Sequence, residues 1–248
     1  MSKLSRKFLL WTFVIMIVCW GTCILCSVNG ILKADNAWLN IPFILGGLSP
    51  TIASIIVTHK HKRFKGWLAD IFDFKHNILM YLMVIALVCV NIFSQCLFSG
   101  YEKGSPLYMI ILNLPIMLVG GGLEEAGWRY ILQPELEKKY SFIVSTLIVA
   151  VIWWFWHLPL FYVPGVSQYG QSFLIFGIDV LGITFALAAI KRITSSTWLC
   201  VLFHCFVNSS SGVFRVNDTI GGSIAATAIT IAVSLVFVSV NNKKKVLK

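Results

Sequence analysis

Acid is scarce in this chain. Ten Asp and Glu stand against twenty Lys and Arg in 248 residues, and only 12% of the residues carry charge of either sign. Soluble domains carry about 25% charged residues, so an ordinary water-facing surface cannot be built from this composition. Also lacking are an internal repeat, a low-complexity tract and any polar spacer long enough to hold a second domain. The expected architecture is therefore one integral membrane domain over residues 1–248, set by the number of apolar spans. The first apolar run has a basic start, but it is too long for a signal peptide and no small-x-small cleavage site follows, so it is read as retained. A disulfide framework is excluded as well. The seven cysteines are odd in number and all lie in apolar segments. Cys23-Ile-Leu-Cys26 has the C-x-x-C spacing but neither a second pair nor a polar setting, which makes these packing residues.

What is abundant is hydrocarbon. Hydrophobic residues make up 58% of the chain and the mean hydropathy is +0.83. Runs of about 20 apolar residues suit membrane-crossing helices, and eight are read: 8–28, 38–58, 77–99, 107–129, 142–162, 172–190, 196–214 and 221–240. The expected fold is all-α and polytopic. With the N-terminus in the cytoplasm and alternating spans, 17 Lys and Arg fall inside and only Lys33, Lys103 and Arg215 fall outside. That bias supports an even span count with both termini cytoplasmic. It also accounts for the net charge of +10 without a nucleic-acid partner. The 59–76 loop, HKHKRFKGWLADIFDFKH, interleaves bases and aromatics, a pattern suited to a short helix on an anionic lipid surface. His59, His61 and His76 are read there as solvated or lipid-facing rather than as metal ligands.

Polar groups inside the apolar runs are few, and these few are informative. Glu124 and Glu125 are adjacent, and an ionisable group at the centre of a span costs roughly 2.5–3.5 kcal/mol on insertion scales. Residues four apart share a helix face, so Glu125 can pair with Arg129. Glu124, rotated by about 100°, has Trp128 as its turn-mate and no base on its own face. His157 lies 33 residues after Glu124, and the turn between the two helices centres near Lys139–Tyr140. An antiparallel hairpin would set both at one depth, roughly 25 Å of helix from that turn, inside the bilayer and reached from the cytoplasmic side. Trp153 precedes His157 by one turn and can pack on its ring, while Trp154, Phe155 and Trp156 read as ordinary packing. Pro159 frees a backbone carbonyl and favours a kink. His204 and Asn208, at i and i+4, face one direction and offer two donors. Structural readings stay open beside these: an ion pair for Glu125–Arg129, interhelical contacts for His204 and Asn208, and close helix packing for Gly120, Gly121 and Gly122. Asp179, mid-way along the sixth span, could pair with a histidine, sit in a water pocket or bind an ion.

Glu124-Glu125-Ala-Gly-Trp-Arg129 reads E-E-x-x-x-R, Trp153 to His157 reads [F/W]-x-x-x-H, and His204 to Asn208 reads H-x-x-x-N. This ordered trio on separate spans resembles the CPBP intramembrane proteases, which join the type II CAAX prenyl endopeptidases to bacterial proteins of bacteriocin processing and immunity. The similarity covers residues 105–210, which would form the catalytic core. GGLEEAGWRYILQPELEKKY followed by WWFWHLPLF looks most like the bacterial branch, implying a bacterial cytoplasmic membrane. The resemblance implies peptide-bond hydrolysis on a membrane-associated peptide or protein. Glu124 would be the general base, with His157 sharing its water. His204 and Asn208 would steady the oxyanion, and Glu125, Arg129 and Trp153 would orient the site. Asp179 lies outside the pattern.

Metal use is left open by the residues. Glu124, His157 and His204 could together ligate zinc, which in catalysis takes three protein ligands and a water. No H-E-x-x-H is present, and a metal-free Glu/His mechanism is equally compatible. Two other functions compete: a non-catalytic bacteriocin-immunity or scaffold protein, and a transporter using Glu124, Asp179 and the histidines as a proton relay. The lack of inverted repeats weighs against the transporter.

Overall fold

A computed structural model describes residues 1–31 and 36–246. Lys33, one of the three bases assigned to the outer side, lies outside the described residues, as does Lys248. The chain is nearly all helix. In order, the elements are α1 (Lys3–Val28), α2 (Asn40–Gly47), α3 (Ser49–Thr58), α4 (Phe64–Ile71) and α5 (Ile78–Ser99). They continue with β1 (Tyr101–Lys103), α6 (Met109–Leu112), α7 (Leu114–Val119), α8 (Glu125–Gly127) and α9 (Gln133–Glu137). The last are α10 (Phe142–Trp156), α11 (Phe173–Thr194), α12 (Trp198–Ser211), β2 (Phe214–Val216) and α13 (Ile220–Val246).

All eight expected spans are helical, but they are not eight regular helices. Among the described residues, five helices are long and apolar enough to cross a membrane: α1, α5, α10 with its 3-10 extension to Tyr162, α11, and α13 as far as Asn242. The stretch Ala37–Gly47 and Ser49–Thr58, bent by 50° at Leu48, is long and apolar enough only when its two parts are taken together. Pro50, two residues into α3, has no N–H to continue the α2 ladder. The expected helix over 196–214 is α12, shorter at 14 residues. The segment 107–129 departs most from a regular span. Pro115 starts α7 two residues after α6 ends, and the three glycines stop α7 at Val119. Irregular backbone of this kind is tolerated at membrane depth only where protein covers it or a cavity adjoins it.

The coverage comes from the other helices. α1 packs on α2 and α3, while α11 and α13 pair along their length with α5 against α13. Between these groups lies an aromatic seam. Phe8 meets Trp128 edge-on at 5.6 Å, Trp128 meets Trp156 at 5.7 Å, and Trp156 meets Trp20 at 4.6 Å. All four rings are buried, and Trp156 also donates to Ser49 Oγ at 3.1 Å. Such ring pairs add roughly 0.5–1.5 kcal/mol each beyond their buried area. All seven cysteines are free thiols. One small departure from all-α is the antiparallel pair β1–β2, which sets Glu102 opposite Arg215 and joins the end of α5 to the start of α13.

Candidate active site

The site is built on broken helix. After α7 the chain turns through Gly121, whose φ of +145° is one that L side chains rarely adopt. A 3-10 turn (Gly122–Glu124), the short α8 and a π-helical turn (Trp128–Leu132) follow before α9. Pro134, at the start of α9, cannot donate a helical hydrogen bond, and the wide turn before it spreads the side chains that a regular helix would stack. π-turns are frequent at functional sites. This segment carries Glu124, Glu125 and Arg129.

Glu125 and Arg129 do pair: Nε lies 3.3 Å from Oε2 and both residues are fully buried. The other Glu125 oxygen accepts from Nδ1 of His204 at 2.8 Å. That link between α8 and α12 is not readable from spacing, since the two residues are 79 apart. Glu124 points to α10, as expected from its rotation. Its Oε2 accepts from Trp153 Nε1 at 2.8 Å and from Trp128 Nε1 at 3.3 Å. The partner on its own face is thus a neutral indole donor one turn away rather than a base.

Trp153 is the centre of the arrangement. Its ring lies 5.5 Å from the His157 ring and 5.3 Å from the His204 ring, and the Arg129 guanidinium sits over it at 5.0 Å. One indole therefore touches the acid, both imidazoles and the arginine. His157 caps α10, where the helix tightens into the 3-10 turn Leu158–Tyr162 with Pro159 at its second position. Its Nδ1 donates to the Trp153 carbonyl at 2.8 Å, leaving Nε2 as the outward nitrogen. Glu124, His157 and His204 are each 5–7% exposed, whereas Glu125 and Arg129 are at 0%. The first three are the groups a substrate could reach.

Asn208 donates to the Gly120 carbonyl at 3.0 Å. A Cβ built on Gly121 would collide with Asn208 Nδ2 and lie 2.9 Å from His204 Nε2. Both donors of the H-x-x-x-N pair therefore converge on one point above the glycine turn. Asp179 is not brought to this site; it faces Ser223 and Asp218 beside α13. Among the described residues, no three His, Cys, Asp or Glu side chains are disposed to hold a metal ion. In this arrangement Glu124, His157 and His204 do not form a zinc ligand set.

Fold and site together define a class: a multi-pass helical membrane protein with an acid, two imidazoles and an amide gathered on irregular backbone. Two comparisons refine it. A family model described as type II CAAX prenyl endopeptidase Rce1-like matches residues 105–210. The chain is also 24% identical over 241 aligned residues to "CAAX prenyl protease 2" of Methanococcus maripaludis, covering 86% of each chain. Both findings support the CPBP family resemblance carried by the three motifs.

Proposed function

We infer that this protein is an intramembrane endopeptidase that hydrolyses a peptide bond of a membrane-associated peptide or protein. The name of the Methanococcus relative suggests a prenylated C-terminal segment as one substrate class, and the motif resemblance to the bacterial branch suggests a bacteriocin-like peptide as another. The motif resemblance to that branch supports placement in a bacterial cytoplasmic membrane, and the basic-residue bias supports having both termini inside. The observation that carries the reading is the Trp153 cluster, which sets Glu124 beside two imidazoles within a membrane-spanning bundle.

In this reading a water lies between Glu124 and His157. Glu124 takes its proton as the water oxygen bonds to the scissile carbonyl carbon. The carbonyl oxygen, now negative, faces Nε2 of His204 and the free N–H of Asn208, donors already fixed in place. The hydrogen bond between His204 Nδ1 and Glu125 fixes the imidazole with Nε2 toward the glycine turn. Collapse of the intermediate breaks the C–N bond, and the proton held by Glu124 passes to the leaving amine. Arg129 neutralises Glu125 on its other side.

The test is Glu124→Gln, assayed by comparative peptidomics of membranes from wild-type and variant cells. The expected outcome is loss of cleavage products with expression and insertion unchanged. Undiminished cleavage rejects Glu124 as base. Absence of any wild-type product, with host protection unaffected by Glu124→Ala, would favour the immunity-protein reading instead.

A further inference from the structure

Among the described residues, a concentration of basic groups without ion-pair partners lies well away from the glutamate site. A groove of about 450 Å³ opens between the start of α1 and the end of α3. On one wall stand Lys3, Lys7 and Trp11, at i, i+4 and i+8 on a single face of α1 and so about 6 Å apart along the axis. On the other stand His59, Lys60 and His61, the part of the basic loop that the hydrolase reading does not use. Ile56 and Val57 supply an apolar floor beside Trp11. No acid lines the groove, and among the described residues none of these five basic groups takes part in an ion pair. Three exposed lysines thus share one concavity whose lining holds no carboxylate.

The layout says what kind of anion answers them. Both lysines of α1 precede Trp11, and the indole lies deeper along the helix toward hydrocarbon. A phosphate at the lysine level would place glycerol and the first acyl carbons against Trp11, Ile56 and Val57, where an interfacial tryptophan is at home. A free anion would leave that apolar half of the groove unused. We propose that the α1–α3 groove is a binding site for the headgroup phosphate of an anionic phospholipid. The lipid would clamp two helices that buttress the glutamate segment. Phe8, next to Lys7, packs on Trp128, the donor to Glu124. A Cβ built on Gly127 would lie 2.6 Å from Pro50 Cβ of α3 and 2.8 Å from Phe8 Cζ of α1, so both helices close directly on the turn after Glu125.

The full chain would be purified from nanodiscs containing phosphatidylglycerol and phosphatidylcholine, and the retained lipid identified by native mass spectrometry. Phosphatidylglycerol should be retained preferentially. The triple variant Lys3→Gln, Lys7→Gln, Lys60→Gln should lose it, with apparent affinity down roughly tenfold or more given the usual worth of a lysine near an anionic lipid. All three lysines are exposed, so folding should survive, as circular dichroism would check. A control triple, Lys75→Gln, Lys138→Gln, Lys139→Gln, removes the same charge elsewhere and should retain the lipid. Equal loss in both triples, retention in the first, or displacement of the lipid by millimolar inorganic phosphate would each overturn the proposal.

Discussion

Trp153 does several jobs with one side chain, and they can be separated. Trp153→Phe keeps an aromatic ring against both imidazoles but removes the N–H that Glu124 Oε2 accepts at 2.8 Å. A hydrogen bond to a charged group is worth roughly 1.5–3 kcal/mol, so turnover should fall about tenfold to a hundredfold with KM little changed. A steady-state assay on reconstituted enzyme would read this, and an unchanged rate would remove Trp153 from the positioning role. Gly121→Ala is the harsher test. Its positive φ costs a non-glycine residue about 1–3 kcal/mol, and the new methyl would push on Asn208 and His204 together. Loss of activity with a lowered thermal midpoint is expected. At this scale the sequence offered the pairs one turn apart, Glu125–Arg129 and Glu124–Trp128, because a four-residue spacing is local geometry. It was silent on Glu125–His204, which depends on how α8 meets α12.

Among the elements, α4 shows how the glutamate segment is tied to the membrane surface. Its Asp70 accepts from Tyr130, on the π-turn, at 2.6 Å and pairs with Lys62. Trp67 of the same helix donates to Ser54 of α3 at 3.0 Å. Burial pushes the Asp70 carboxyl upward, but the hydrogen bonds from Lys62 and Tyr130 outweigh it, and its pKa lies below the ordinary value. A carboxyl depressed in the folded state contributes stability that is complete above its unfolded value, about 3.9. That contribution drains away as pH falls through the depressed folded value. Asp70 is partly exposed, so the tether is modest, about 0.2–1 kcal/mol. Asp70→Asn should speed amide hydrogen exchange in 64–71 at neutral pH while α10 stays protected. Exchange corrected for intrinsic rates should show wild type reaching the same state only in acid. The short helix itself was legible from interleaved aromatics and bases. Its link to Tyr130 was not, since a contact 60 residues apart leaves no periodic trace.

For the whole molecule, hydropathy located the apolar helical stretches, five of them long enough to cross a membrane among the described residues, but overstated their regularity. An average over 20 residues cannot tell a straight helix from α6, α7 and a glycine turn of equal greasiness, and the broken segment is the one that carries the glutamates. Two predictions belong here. The charge bias places the β1 side outward, so a cysteine introduced at Ser105, in a background lacking the seven native thiols, should react with an impermeant reagent applied outside intact cells. One at Ser2 should not. Second, the proposed chemistry runs through Glu124 without a metal. Exhaustive chelation followed by elemental analysis should leave turnover unchanged; loss on chelation with recovery on zinc would revise the mechanism.

The π-turn at Trp128–Leu132 has a genetic consequence. It holds one more residue per turn than its flanks, so removing Ile131 would let the stretch rewind as ordinary α-helix. A π-turn absorbs its extra residue, so four α-helical residues turn through nearly the same angle as these five, and Gln133 and Leu136 would keep their buried faces. A single-codon deletion here should therefore be absorbed by the fold better than one inside a regular helix such as α10, where every residue beyond the gap would turn by about 100°.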